Sequence, residues 1–154
     1  MLFGKVLTVF FPCPPPMTAI FRHEFTVGSD ALDENRHVNN VAYVRWMQDV
    51  AVLHSAAAGC TEATRAIGAI WVAREHRIEY LAPAFAGDRV EARTWVVNFR
   101  RVRSRRRYRF VRIGDGAVLA RGETDWVLVD AATGRPRAIP EEVTGKFQLL
   151  PDDQ

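Results

Sequence analysis

The sequence predicts an α+β fold in which one five-stranded antiparallel sheet wraps around one long apolar helix. Three observations predict it. The 154 residues suffice for one domain, a single long segment is apolar on most sides, and five segments have the composition of strands. A helix that is apolar on most sides must be covered by a broad surface, and a five-stranded sheet is such a surface.

The first half of the chain contains the first strand and the helices. Residues 21–27 alternate large apolar or aromatic side chains with polar ones, which indicates a strand that ends at Gly28. Val41–Ala58 is apolar on most sides, with a narrow polar stripe, and Gly59 supplies a stop. A short second helix is predicted over Thr61–Ala66.

The second half is predicted to be almost all strand. Four long segments rich in β-branched and aromatic residues are separated by glycine and proline turn signals. The segments are Ala69–Leu81, Asp88–Phe99, Ser104–Ile113 and Ala117–Asp130, and the turn signals lie at Pro83, Gly87, Gly114–Gly116 and Gly134. In the last strand, small or apolar residues and one threonine alternate with charged ones over 118–128, which turns one face inward. Pro140–Phe147 predicts a terminal helix.

Composition is that of an ordinary globular domain. With 48% hydrophobic and 25% charged residues, the chain fits neither a disordered nor a membrane protein. The net charge of +3 is mild, and much of the excess lies in Arg100–Arg112. Cys13 and Cys60 have no paired spacing and no companion histidines, so we expect neither disulfides nor a zinc site. We expect no cofactor, no membrane partner and a cytoplasmic location.

Residues 1–16 differ from the rest of the chain. An apolar run over Met1–Phe11 leads into a proline-rich segment. A signal peptide is an alternative, but the run is too short to span a bilayer, lacks an evident cleavage site and meets prolines that would stop a helix. We expect residues 1–16 to be a leader outside the fold, with Met17 as a candidate start, and 17–154 to form the domain.

The segment 33–40, Asp-Glu-Asn-Arg-His-Val-Asn-Asn, stands directly before the long helix. Thioester hydrolysis needs a carboxylate, donors for the developing oxyanion and a dry groove for the acyl chain. Asp33 offers the carboxylate, and the unpaired backbone N–H near Asn40 offers the oxyanion donor. His37 can donate from its ring, and Asn35 can orient the water or the carboxylate.

Each of these residues also has a structural interpretation. Asn39 or Asn40 is a good helix N-cap, Asp33 and Asn35 are ordinary turn residues, and His37 fits a satisfied structural histidine. That interpretation weakens only when the residues are taken together, since no turn requires this succession before an unusually apolar helix. Residue types and spacing alone leave both interpretations open.

Residues 29–46, from Ser29 to Trp46, resemble the signature of hot-dog-fold acyl thioesterases. Both the 4-hydroxybenzoyl-CoA thioesterase type and the acyl-acyl-carrier-protein (acyl-ACP) thioesterases are similar in pattern. The likeness covers roughly Phe21 to Pro140. It extends through Ile78–Pro83 with Gly87-Asp88, and through Val129-Asp130 with Gly134–Pro136.

The resemblance implies a single hot-dog domain that hydrolyses an acyl-CoA or acyl-ACP thioester. It makes Asp33 the catalytic carboxylate, acting as nucleophile or general base, and puts the amide of Asn40 in the oxyanion hole. Asn35 and His37 stand in register with an asparagine and a histidine that the carrier-protein branch uses. It further implies a homodimer or homotetramer with sites at the subunit interface, and the exposed edges of a single sheet favour the same assembly.

Three departures from the family pattern matter. Asp30 lies three positions before Asp33, whereas the two aspartates of the family's Asp-x-Asp pair are two positions apart. Arg36 stands where many members carry glycine. Pro83 and Ala84 replace the Glu-Cys pair of the carrier-protein branch, which excludes a cysteine nucleophile at that point. A mechanism based on Asp33 is compatible with all three departures.

Other functions remain alternatives. A hot-dog hydratase or dehydratase would use an aspartate and a histidine five residues apart, whereas His37 follows Asp33 by four. A non-catalytic acyl-thioester-binding module is a further alternative. The arginine-rich segment Arg100–Arg109 favours a solvated hairpin for most of its side chains, with one or two left to meet CoA phosphates or an acidic carrier protein. Nucleic-acid binding by this segment would leave the motif unexplained, so we expect no nucleic-acid partner.

Overall fold

The computed structural model describes residues 18–151 and confirms the predicted hot-dog architecture. All five strands form one antiparallel sheet in the order β1-β3-β4-β5-β2. The strands are β1 (Phe21–Thr26), β2 (Ala69–Tyr80), β3 (Arg89–Arg100), β4 (Arg103–Arg112) and β5 (Val118–Asp130), and the α-helices are α1 (Asn40–Ala57), α2 (Cys60–Ala66) and α3 (Glu141–Thr144). The predicted leader, residues 1–16, and Met17 lie outside the described residues. None of the helices in the described part has the length and apolar character needed to cross a membrane.

The predicted and observed boundaries differ most at the last helix. Pro140–Phe147 was expected to be helical, but α3 ends at Thr144 and Gly145 closes it with an N–H bond to the carbonyl of Glu141, 2.9 Å long. Phe147 then turns inward, where its ring meets that of His54 edge-on at 4.9 Å between centroids. Packing of this half-buried aromatic side chain against His54 takes the place of a further helical turn.

Helix α1 packs on the inner face of the sheet, and the contact is close at Gly122. Met47 and Val50 on the helix are almost fully buried. A Cβ atom at Gly122 of β5 would lie 2.7 Å from the sulfur of Met47 and 3.5 Å from the ring of Tyr108. Glycine at this position therefore lets the helix sit close to the strand.

The arginines of β4 lie on both faces of the sheet. Ser104, Arg106, Tyr108 and Phe110 alternate along it and are all buried on the inner face. Two of the arginines between them, Arg105 and Arg107, face outward and pair with acidic residues of the neighbouring strand: Arg105 with Asp125 at 3.0 Å, and Arg107 with Glu123 at 3.1 Å. The solvated-hairpin interpretation thus fails for Arg106, because the strand period turns it into the interior.

His54, near the end of α1, is 3% exposed and accepts a hydrogen bond from Arg106 at its Nδ1, 2.7 Å away. Burial, together with the charge of Arg106, lowers the pKa of His54 from 6.5 to about 3. The unfolded chain therefore binds a proton near pH 6.5 that the folded chain does not take up until about pH 3. Stability conferred by the neutral ring is complete above pH 6.5 and declines as the pH falls below it.

As the pH falls from about 6 to about 4, the titration of His54 is expected to lower the free energy of unfolding by about 1.4 kcal/mol for each pH unit, in addition to the effect of other groups. The measurement is urea denaturation of the wild type and of His54→Gln over this range. Glutamine keeps an acceptor for Arg106 but does not titrate, so the difference between the two curves isolates the histidine. Parallel curves would rule out this linkage.

Candidate active site

The segment 33–40 forms a tight loop that leads directly into α1. Leu32 and Val38 pair as an isolated antiparallel bridge. Inside this bridge the N–H of Asp33 donates to the carbonyl of His37 at 2.8 Å, and the N–H of Arg36 donates to the carbonyl of Asp33 at 3.0 Å. The backbone therefore holds residues 33–37 in one compact turn, exposed to solvent.

The two carboxylate oxygens of Asp33 differ in their hydrogen bonds. Oδ1 accepts hydrogen bonds from the backbone N–H groups of Asn35 at 2.9 Å and His37 at 3.2 Å. Within residues 18–151, no donor pairs with Oδ2. One oxygen thus shapes the turn while the other faces solvent, free to meet a substrate or a water molecule.

Arg36 adopts the left-handed conformation, with a φ of 59°. This geometry explains the departure noted in the sequence: a turn that needs positive φ is the place where related proteins would carry glycine, which has no Cβ to clash. Arg36 is fully compatible with the loop's hydrogen bonds, but its backbone is strained relative to glycine.

Arg36→Gly is expected to raise the free energy of unfolding by about 0.5–1 kcal/mol, because it removes the left-handed strain and no packed side chain. Arg36→Ala is the matched control, since it also removes the exposed side chain but keeps the Cβ. Chemical denaturation of both variants measures the difference. Equal stability of the glycine and alanine variants would contradict a strained turn.

The loop is anchored to its surroundings at its C-terminal end. The N–H of Val38 donates to the carbonyl of Ala84, and that of Asn39 to the carbonyl of Ala31, both at 2.9 Å. The side chain of Asn39 accepts from the N–H of Ala42 at 2.8 Å, so Asn39 rather than Asn40 is the N-cap of α1. Asn40 is the first helical residue.

The backbone N–H of Asn40 is available for a ligand. Among the described residues neither a backbone nor a side-chain acceptor pairs with it. It lies at the positive end of the macrodipole of an 18-residue helix, and its residue is exposed. An oxygen that gains negative charge next to this N–H would be stabilised.

Asn35 and His37 are exposed, and in residues 18–151 their side chains make no hydrogen bond. The ring of His37 meets that of Phe85 edge-on, with 5.2 Å between centroids. The structure therefore places both side chains on the same loop as Asp33 without fixing them through polar contacts. Their backbone N–H groups, rather than their side chains, are what Asp33 binds.

Arg112 supports the segment 83–88, which contacts the loop formed by residues 33–40, called the motif loop below. Its guanidinium donates to the carbonyl of Pro83 at 2.9 Å, to Asp88 at 3.3 Å and to Asp115 at 2.8 Å. Since Ala84 accepts the N–H of Val38, Arg112 stabilises the motif loop indirectly. No local pattern indicates this role, because Pro83 and Asp88 lie far from Arg112 in the chain.

Comparison with known proteins identifies the family of this chain. The profile of the thioesterase-like superfamily matches residues 27–147, which include the whole motif loop, α1 and all strands after β1. The chain belongs to the thioesterase-like superfamily. The resemblance seen in residues 29–46 is thereby confirmed at the level of family and fold.

Curated relatives of this superfamily member are acyl-carrier-protein thioesterases of plants. A chloroplastic palmitoyl-acyl carrier protein thioesterase of Cuphea hookeriana is 25% identical over 136 residues, which are 84% of this chain and 33% of the relative. The chloroplastic oleoyl-acyl carrier protein thioesterase 1 of Arabidopsis thaliana is 26% identical over 138 residues, 84% of this chain and 38% of the relative. The chain thus spans between a third and two fifths of the length of these relatives.

Solved structures share the fold. The 12:0-ACP thioesterase from Umbellularia californica superimposes with a TM-score of 0.76 at 24% identity, over 84% of this chain and 51% of that one. A 1,4-dihydroxy-2-naphthoyl-CoA thioesterase from Synechocystis gives a TM-score of 0.74 at 15% identity, over 83% of this chain and 95% of that one. The same domain therefore occurs in thioesterases named for carrier-protein and for CoA substrates.

Proposed function

We propose that this protein hydrolyses an acyl thioester of CoA or of an acyl carrier protein to a free acid and a thiol. The proposal rests on two groups near the N-terminus of α1: the carboxylate oxygen Oδ2 of Asp33 and the backbone N–H of Asn40, neither of which has a hydrogen-bond partner among the described residues. Membership of the thioesterase-like superfamily supports it. Both the curated relatives and the Synechocystis structure are named as thioesterases.

In this mechanism the thioester carbonyl points toward the N–H of Asn40. Asp33 either attacks the carbonyl carbon itself or takes a proton from a water molecule that attacks it. The tetrahedral oxyanion forms beside the helix start, then collapses with cleavage of the C–S bond, and the departing sulfur takes up a proton. If Asp33 is the nucleophile, water then hydrolyses the acyl-aspartate anhydride and restores the carboxylate.

Asn35 and His37 have supporting roles in the proposal. Their exposed side chains belong to the same turn as Asp33, and in the proposal either holds the attacking water or the thioester carbonyl through one hydrogen bond. Pro83 and Ala84 offer no side-chain nucleophile or base beside the loop. The chemistry therefore rests on Asp33.

The test is a panel of acyl-CoA esters of different length and aromaticity, with acyl-ACP and an enoyl-CoA included. Free thiol is measured with a sulfhydryl reagent, and loss of substrate is measured separately. We expect thiol release that matches substrate loss for at least one ester. Consumption of the enoyl-CoA without thiol would establish a hydratase instead, and binding without turnover would establish a non-catalytic module.

The proposal includes a homodimer or a homotetramer. Strand β2 is an edge of the sheet, is 12 residues long and is exposed along most of its length. Its apolar side chains are open to solvent, with Ile70 48%, Val72 39% and Tyr80 46% exposed. A second copy paired along this edge would cover these side chains and the unpaired backbone groups of the strand.

Light scattering coupled to size exclusion tests the assembly. We expect a mass of two or four times 17.4 kDa. A monomer at the protein concentration of the activity assay would contradict it.

A cytoplasmic location is also part of the proposal, since Cys60 is a buried free thiol that needs no oxidising compartment.

A further inference from the structure

A cavity of about 400 Å³ lies between the second half of α1, α2 and the sheet. It is separate from the motif loop, because its nearest α1 residue, Gln48, lies roughly 12 Å along the helix axis from Asn40. Its wall is mostly apolar. The large apolar side chains that line it are Val52, Ile70, Trp71, Phe99, Trp126 and Phe147. A cavity of this size and character suits an apolar small molecule.

Two arginines line this cavity, and only one of them is buried, since Arg65 lies at the surface and pairs with Glu62 at 3.2 Å. Arg106 lines the cavity and is only 4% exposed. Its place follows from the alternation of β4, which turns residues 104, 106, 108 and 110 inward. The two neighbouring arginines, Arg105 and Arg107, face outward and have carboxylate partners.

The partners of Arg106 are all neutral. Nη1 donates to Nδ1 of His54 at 2.7 Å and to Oγ1 of Thr94 at 3.3 Å, and the guanidinium lies over the ring of Phe147, 5.3 Å from its centroid. His54 is uncharged, because burial and the arginine lower its pKa to about 3. Cys60, which also lines the cavity, is a neutral thiol, because burial raises its pKa.

No carboxylate of the described residues lies within ion-pair distance of Arg106, and none of their acceptors pairs with its Nε or Nη2. A buried cation without a counter-charge costs several kcal/mol. The guanidinium fork matches a carboxylate, which it binds through two parallel hydrogen bonds. A mostly apolar cavity with one buried cation that lacks a carboxylate partner among the described residues therefore suits a ligand that is apolar along its length and carries one carboxylate.

We propose that this cavity binds the carboxylate end of an apolar chain, with Arg106 as the recognising cation. Two sources supply such a group. One is a free fatty acid that binds independently of the thioester. The other is the terminal carboxylate of a dicarboxylic acyl group whose thioester lies at Asp33, and this source alone rests on the proposed function.

The first arm of the test measures binding to the intact protein by isothermal titration calorimetry, with decanoate and decan-1-ol as probes. We expect decanoate to bind more tightly than the alcohol, since only the carboxylate pairs with the arginine. Arg106→Met should weaken decanoate binding by about 10- to 100-fold and leave the affinity for the alcohol close to that of the wild type. Arg105→Met, which removes an arginine from the outer face of the same strand, is the matched control and should bind decanoate normally.

Methionine replaces a buried charge by an apolar side chain of similar length, a change that proteins often tolerate. Arg106→Lys is the second variant, because it keeps the charge and loses the fork, and it should bind decanoate with intermediate affinity. The wild-type comparison of decanoate with decan-1-ol needs no variant. Equal affinity for the two probes, or an undiminished decanoate affinity in Arg106→Met, would overturn the proposal.

The second arm separates the two sources by comparing hydrolysis of sebacoyl-CoA with that of decanoyl-CoA. A higher kcat/KM for sebacoyl-CoA that is lost in Arg106→Met assigns the carboxylate to the acyl group. Decanoate binding without such a preference assigns it to a free fatty acid. Failure of thioester hydrolysis leaves the calorimetric result unchanged, so the two proposals fail independently.

Discussion

Replacing Asp33 by asparagine is expected to lower the kcat for thioester hydrolysis by about 10²- to 10⁴-fold in a protein that folds normally. The carboxylate oxygen Oδ1 holds the N–H groups of Asn35 and His37, and the amide oxygen of asparagine accepts the same two bonds. Only the negative charge and the second carboxylate oxygen are lost. The substitution therefore separates the chemical role of Asp33 from its role in shaping the turn.

Asp33→Ala is the matched comparison, because it removes both roles. We expect it to be as inactive as the asparagine variant and less stable by about 1 kcal/mol, since two backbone donors lose their acceptor. Initial rates on one acyl-CoA give kcat and KM, and chemical denaturation gives the stability. A folded asparagine variant whose kcat falls by less than about tenfold would remove Asp33 from the chemistry.

Phe110→Ala is expected to lower the free energy of unfolding by about 3–5 kcal/mol. Phe110 is 0% exposed on the inner face of β4, beneath α1. Its ring meets that of Tyr43 edge-on at 5.5 Å and lies 6.0 Å from that of Trp46, both on the helix. Removing it opens a cavity where the helix that presents Asn40 rests on the sheet.

Urea denaturation at constant pH measures this loss, with Phe110→Leu as the conservative control. Leucine keeps most of the apolar volume, so we expect it to cost about 1–1.5 kcal/mol. If alanine were tolerated as well as leucine, the packing of α1 on β4 could not be the main support of the helix.

The sequence predicted the secondary structure well because the patterns that matter there are local. The polar and apolar alternation of β5 and the apolar length of α1 gave both elements to within one residue. The terminal helix was predicted to be too long, ending at Phe147 rather than Thr144, because nothing local shows that Phe147 packs against His54. Tertiary packing decided that boundary.

The place of the candidate residues, in the loop before α1 and at its first residue, followed from the sequence, whereas their detailed backbone geometry did not. Asp33 and Asn40 stand where the motif placed them, but the positive φ of Arg36 and the choice of Asn39 as N-cap needed coordinates. Arg106 could have been found by extending the alternation of Tyr108 and Phe110 back along β4. The density of neighbouring arginines made that position look like part of a solvated surface.

The most direct test of the account is a product balance for one acyl-CoA ester that the panel selects. Free thiol and free acid are quantified over the same time course with wild type and with Asp33→Asn, at equal concentrations of folded protein. We expect equal amounts of thiol and acid from the wild type, and product formation by the variant at less than about one hundredth of the wild-type rate. Substrate loss without thiol, or comparable product from both proteins, would contradict it.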